Sequence, residues 1–216
     1  MEWTDEGLIL SARRHGENAA IVTLLTAEHG LHAGLVRGHG AKGRGAVEPG
    51  TQVRAHWRAR LPDHLGHFRL ESDRAYAAPL LADAEALAGL SAACAVAERA
   101  LPEREPHRPV YDGLLTLMEA LGARGWGALL VTWELGLLAE LGFGLDLSVC
   151  AATGTREDLV WVSPKTGRAV SRAAGGPYAE RLLVLPGFLA GGRVAEADAA
   201  EILTGLLLTG HFLDKL

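Results

Sequence analysis

Between Val53 and Arg60 the chain alternates without a break: Val53, Ala55, Trp57 and Ala59 are apolar, while Arg54, His56, Arg58 and Arg60 are basic. A period of two belongs to an extended strand, whose successive side chains leave opposite faces. One face is therefore apolar and has to be buried, and the other is basic.

The three arginines of this strand continue a longer basic run. With Arg37, Lys42 and Arg44 they face a single acid, Glu48, in a chain whose net charge is -5. A local excess of cations on an acidic background points to a polyanion partner. Just upstream, Gly38-His39-Gly40-Ala41-Lys42-Gly43-Arg44-Gly45 is glycine-rich and basic, a composition that can lay backbone N–H groups and cations along phosphates. The same residues also suit a solvated edge strand and its hairpin loop, because edge strands carry charge against aggregation. Pattern alone leaves both readings open.

Four more short strands are expected in the same part of the chain: Gly7 to Arg13, Ala19 to Thr26, Leu31 to Arg37 and His67 to Arg74, with the basic strand itself from Thr51 to Arg60. Turns are marked by His15-Gly16-Glu17-Asn18, Glu28-His29-Gly30 and Leu61-Pro62-Asp63. Five short strands separated by glycine-bearing turns suggest a small barrel or sandwich, and a five-stranded oligonucleotide-binding (OB) barrel suits this size. After Pro79 the texture becomes helical. Asp83 can cap a helix through Leu101, Pro109 can open a second through Leu121, and Trp126 to Leu141 reads as a third, apolar almost all round. Glu134 inside it is expected to be paired or turned to an edge. Asp158 to Val162 and Arg168 to Ser171 flank Ser163-Pro164-Lys165-Thr166-Gly167 as a hairpin. Helices are expected again from Tyr178 to Ala190, interrupted at Pro186, and from Ala195 to Leu216. The fold class is α+β: residues 1–78 form the OB-fold barrel, and residues 79–216 form a helical domain with a hairpin inserted at about 145–177.

Charge divides with this organisation. Residues 1–74 hold ten Lys/Arg against nine Asp/Glu, and the remainder holds eleven against seventeen. Seven of the nine histidines also lie in the first part, where protonation in an anionic field would add cationic character. The acidity thus belongs to the second part. The most apolar stretch, Trp126 to Gly142, contains Glu134 and Glu140 and reads as a buried helix rather than a membrane span. The start Met-Glu-Trp-Thr-Asp-Glu lacks the positive and apolar regions of a signal peptide, so a cytoplasmic protein is expected. Cys94 and Cys150 give no disulfide framework.

Catalytic motifs find no anchor. Gly38-His39-Gly40-Ala41-Lys42-Gly43 satisfies G-x-G-x-x-G, but Gly45, Pro49 and Gly50 oppose the helix that a dinucleotide site requires. The serines lack a G-x-S-x-G setting. His29, His32, His39, His56, His64 and His67 have no zinc-ligand spacing. They are expected on strand surfaces facing an anionic ligand. Trp57 and Phe68 are expected in the core, and Trp161 either contacts a ligand or packs on the helices.

In order along the chain, Glu6-Gly7-Leu8-Ile9-Leu10 with His15-Gly16-Glu17-Asn18, Leu35-Val36-Arg37-Gly38, Trp133-Glu134-Leu135-Gly136-Leu137-Leu138-Ala139-Glu140-Leu141-Gly142, and Leu145-Asp146-Leu147-Ser148-Val149-Cys150 resemble the bacterial recombination mediator family RecO. Val162-Ser163-Pro164-Lys165-Thr166-Gly167-Arg168-Ala169-Val170-Ser171 is similar to the form in alphaproteobacterial members. The resemblance spans essentially the whole chain. It implies a non-enzymatic role in DNA repair by the RecF pathway. In that role the chain would bind single- and double-stranded DNA, anneal strands, and help load RecA, indirectly, onto DNA coated by single-strand-binding protein (SSB). The implied partners are RecR and the acidic C-terminal tail of SSB. The implied location is the cytoplasm at the nucleoid, with no membrane contact.

Two departures from the family pattern stand out. Many members carry two C-x-x-C pairs around the hairpin, whereas this chain reads Cys150-Ala151-Ala152-Thr153 and Ser171-Arg172-Ala173-Ala174. No metal and no cofactor are therefore expected, and the hairpin should be held by packing. Where some relatives have arginine before the Trp-Glu of the central helix, this chain has Val131-Thr132, so Arg108, Arg124 or Lys215 could substitute in meeting the tail. Arg37, Lys42, Arg44, Arg54, Arg58 and Arg60 are the expected DNA phosphate contacts, joined more weakly by Arg13, Arg14 and Arg69. The rival expectation is an adaptor that works through protein contact on its helical domain, with DNA contact secondary.

Overall fold

The structure, a computed structural model, describes residues 1–37, 47–61 and 63–216. The glycine-rich segment with the expected contacts Lys42 and Arg44, and with the G-x-G-x-x-G match, lies outside the described residues. Five strands, β1 (Glu2–His15), β2 (Ala19–Thr26), β3 (Gly30–Arg37), β4 (Thr51–Arg58) and β5 (His67–Ala75), close a barrel in the order β1-β2-β3-β5-β4. β4 pairs back onto β1, and β3 meets β5 in parallel at Leu35 and His67. This is the five-stranded architecture of the OB fold.

The barrel closes because one parity of each strand is apolar. Ile9, Ala20, Val22, Leu24, Val53, Ala55, Trp57 and Phe68 fill it as a buried cluster, joined by Val47 and by the partly buried Trp3. Gly34 is required where it stands, since a Cβ there would lie 2.4 Å from the Phe68 ring. β1 starts at Glu2 rather than Gly7: Glu2 to Glu6 pair with Arg58 to Arg54, so these acids lie on the closing seam of the barrel. β4 is bounded at Arg58 rather than Arg60, and one further in-register pair follows it, in which Ala59 and Met1 exchange both backbone bonds.

After a short 3-10 turn at Ala78–Leu80 come α1 (Ala84–Ala100), capped by the Asp83 carboxylate on the Ala86 N–H, and α2 (Arg108–Ala120), with Pro109 in its first turn. Secondary structure changes near residue 78, but the packing units are 1–122 and 123–216. Residues 79–122 therefore pack with the barrel. The reason is visible in α1: the Leu90 methyls lie against Gly50, and Glu98 accepts a 2.7 Å hydrogen bond from Ser11 of β1.

The second unit contains α3 (Trp126–Glu140), β6 (Leu159–Val162), β7 (Ala169–Ser171), α4 (Arg172–Gly175), β8 (Leu183–Val184) and α5 (Ala199–Leu213). The expected hairpin is β6 and β7, but a third strand joins it. The expected helix from Tyr178 to Ala190 does not form: Pro177 lies in the first turn of a 3-10 segment that ends at Arg181, Leu183 and Val184 pair with β6, and Pro186 precedes a second 3-10 turn at Gly187–Leu189. α5 starts at Ala199, after an Asp198 cap on the Glu201 N–H, rather than at Ala195. Trp161 packs within the unit, since a Cβ on Gly175 would fall 2.5 Å from its ring. Glu134 is buried and faces the Thr209 hydroxyl of α5. No described helix is long and apolar enough to cross a membrane.

Candidate nucleic-acid interface

Residues directly opposite in neighbouring strands point to the same face, so register assigns neighbours to each expected contact. On the outer face of β1, β4 and β5, Arg54 lies between Glu6 and Glu71, His56 between Thr4 and Arg69, and Arg58 between Glu2 and His67. Arg58 approaches Glu2 at 3.9 Å, Arg69 approaches Glu71 at 3.9 Å, and the Thr4 hydroxyl lies 2.9 Å from His56 Nδ1. Arg54, Arg58 and Arg69 thus share a surface with Glu2, Glu6 and Glu71. The strand that is basic in sequence sits in a charge-balanced face, and exposed pairs of this kind contribute about 0–1 kcal/mol each.

The other side of the barrel differs. Across β1, β2 and β3, one row reads Arg13, Ile21, Leu35 and the next reads His15, Ala19, Arg37. Arg13, His15 and Arg37 are exposed, Ala19, Ile21 and Leu35 are half-buried, and no carboxylate occupies these positions. Glu17 lies beyond the end of β1, in the turn to β2. The next row, Ser11, Thr23, Ala33, approaches α1 through the bond from Ser11 to Glu98. Arg14 has the opposite parity and is exposed near the end of β1. The structure therefore places Arg13 and Arg37 on one face, on either side of β2, groups Arg54, Arg58 and Arg69 among acids, and sets Arg60 in the bend after β4. His15, which the sequence reading did not single out, shares the outward parity of Arg13. That parity was the available signal.

The histidines divide as well. His56, His64 and His67 are exposed as expected, and His29 is half-buried, with Nδ1 2.9 Å from the Asp5 carboxylate and its ring stacked on Trp3. His32 is a correction: it is 5% exposed, facing inward among Trp3, Trp57 and Phe68. It shares the parity of Gly34 and Val36, which point into the barrel. Burial, reinforced by Arg104 and then His29, pushes its imidazole down to about 4.

The residues at the family's metal positions do not suit zinc. A tetrahedral structural site needs four Cys or His ligands, and here Cys150 is the single sulfur among Thr153, Ser171 and Ala174. The Ser171 N–H instead donates to Cys150 Sγ at 3.3 Å. Burial pushes this thiol up, but donors from Ser171, Thr153 and Ala152 outweigh it and hold it at about 6. Backbone bonds from Ala151 to Ala169 and from Cys150 to Thr155, both through the N–H of the first-named residue, complete the knuckle. It packs on Leu159, Val162, Leu208 and Phe212.

Of the cations considered for an acidic tail, Arg108 lies in the first unit, where Glu28 and Asp112 hold it at 2.8 and 2.9 Å. Lys215 lies over the Phe212 ring and donates to the Pro164 carbonyl. Arg124 is exposed at the start of the second unit.

Comparison with known proteins agrees with this architecture in both parts. Family models described as "Recombination protein O N terminal" and "Recombination protein O C terminal" match residues 1–71 and 81–216. A "DNA repair protein RecO" of Rhodospirillum centenum is 54% identical over 218 residues, covering 100% of this chain and 86% of the relative. Proteins of the same name are similar in Cereibacter sphaeroides strain ATCC 17025 (53% over 217 residues, covering 100% and 90%) and in Rhodospirillum rubrum (50% over 221 residues, covering 99% and 88%). These names denote a DNA repair protein.

Proposed function

The chain belongs to the recombination protein O family, and from that membership we propose that it acts in DNA repair as a non-enzymatic mediator in the RecF pathway. In this reading it works in the cytoplasm at the nucleoid. It binds single- and double-stranded DNA, anneals complementary strands and, with RecR, helps load RecA onto SSB-coated DNA. The observation that carries the DNA reading is the outer face of β1, β2 and β3. There Arg13, His15 and Arg37 surround a small apolar floor with no carboxylate in register. The basic segment with Lys42 and Arg44 follows Arg37 in the chain. Cations that neutralise phosphates on two strands lower their mutual repulsion without reading bases, so annealing needs charge and no sequence code.

The test compares two pairs of substitutions. Arg13→Ala with Arg37→Ala should weaken single-strand binding roughly tenfold at moderate salt and slow annealing equally for unrelated sequences. Arg54→Ala with Arg69→Ala should cost less, because each arginine already has a glutamate beside it. The reverse order would move the interface to the β1, β4 and β5 face.

The adaptor reading is supported by a separate observation. α5 exposes Leu203 and Leu207, one turn apart, at 58% and 66%. An apolar stripe of this kind can receive the hydrophobic end of the SSB tail. Leu203→Glu with Leu207→Glu should abolish capture of a tail peptide and leave DNA affinity unchanged. Undiminished capture would place the tail elsewhere.

A further inference from the structure

We propose that the cleft between the end of β4 and the β4–β5 loop is a phosphate-binding subsite, and that His64 and His67 supply half of its cationic side chains. This rests on the DNA reading and adds a place and a proton dependence to it. The cleft has a volume of about 560 Å³, with Arg58, Arg60, His64 and His67 in its walls and Met1 and Gly66 closing it. No carboxylate lines it among the described residues. Two guanidiniums and two imidazoles around one concavity are donors for phosphate oxygens, and an anion seated among them favours the protonated ring.

The fold holds this wall in place before any ligand arrives. The Trp57 indole donates to the Leu65 carbonyl at 3.1 Å. Gly66, at φ 65°, lies flat on the same indole, where a Cβ would fall 2.5 Å from the ring nitrogen. Leu35 N–H bonds the Gly66 carbonyl, and Arg104 reaches both the His64 carbonyl and the Asp63 carboxylate at 3.4 Å. On the other wall, Met1 and Ala59 exchange backbone bonds of 2.7 and 3.0 Å.

The groups around the histidines are cationic or neutral with two exceptions. His67 faces Arg58 on β4 and Leu35 on β3, with Arg69 two residues along β5; Glu2 on β1 lies beyond Arg58 in the same row. His64 has Asp63 beside it, and Arg104 occupies that carboxylate. Arg60 has no carboxylate partner among the described ion pairs. Phosphate oxygens seated between the rings favour their protonated form, in which both ring nitrogens donate.

The experiment is a fluorescence titration of the full chain with a short labelled oligo-dT at constant ionic strength, at pH about 7.8 and about 5.8. Wild type should bind roughly tenfold tighter at the lower pH. His64→Gln with His67→Gln should remove most of that gain, and Arg60→Gln should weaken binding at both pH values. A double variant that keeps the full gain, or a wild type without one, overturns the subsite and leaves the DNA reading standing. Absence of DNA binding at any pH in low salt overturns that reading itself. A parallel titration follows the His64 and His67 ring resonances with inorganic phosphate and with unlabelled oligo-dT. Movement with both supports the subsite, and movement with phosphate alone makes it a site for the free anion and overturns it.

Discussion

Two buried ionisable residues, one in each packing unit, give the units opposite responses to pH. His32, in its aromatic cage, is held neutral with its imidazole down to about 4. A histidine depressed in the fold stabilises fully above the unfolded value near 6.5 and loses that contribution as pH falls toward 4. Glu134 is raised to about 7 by burial, against a smaller opposing effect of the Thr209 hydroxyl. That hydroxyl donates to the Glu134 carboxyl and also lies 3.1 Å from the Gly205 carbonyl, so its single hydrogen is shared between two acceptors. A raised carboxyl stabilises below its unfolded value and loses stability as pH rises from about 4.3 through 7. Hydrogen exchange resolved by unit should therefore show the first unit weakening below pH about 6.5 and the second weakening above pH about 4.3, each by on the order of 3 kcal/mol. His32→Leu should flatten the first profile and Glu134→Gln the second. Slopes that persist in these variants would assign the pH dependence to other groups. The sequence placed Glu134 in a buried helix, but its Thr209 partner lies 75 residues away. His32 read as a surface histidine because polarity alone does not distinguish a solvated imidazole from one caged by rings.

At the level of elements, the strands were legible because their period of two is local. β2 has the expected bounds, and the others differ at their ends. What could not be read was register. The basic face of β4 is visible within eight residues, but Glu2, Glu6 and Glu71, which neutralise it, come from strands up to some fifty residues away in the chain. Arg13 and Arg37, which have no carboxylate partner among the described ion pairs, are likewise joined only through β2. β8 was missed because two residues carry no period, and the surrounding apolar texture suits helix and strand alike. The knuckle around Cys150 is held by hydrogen bonds to the sulfur and by packing on Phe212 and Leu208. A metal chelator should leave the thermal unfolding midpoint of the second unit unchanged, whereas Cys150→Asp should lower it by several degrees. A chelator-induced drop would mean that a metal holds this region after all.

For the whole molecule, the net charge of -5 conceals a division of labour. The acidic excess lies after residue 74, and the first unit carries both the cation-lined face and the cleft. The order of a five-stranded barrel followed by helices was legible, because glycine-punctuated strands and capped helices differ in period. The packing boundary at residue 122 was not, because the burial of α1 against the barrel is a tertiary fact. The central claim is that the barrel binds DNA through phosphate neutralisation. Its most direct test is the salt dependence of single-strand affinity: the logarithm of the binding constant should fall linearly with the logarithm of salt concentration, with a slope of about -0.7 for each phosphate neutralised. Removing Arg13 and Arg37 together should make that slope shallower by about 1.4. A slope near zero in wild type, or one unchanged in the double variant, would contradict it.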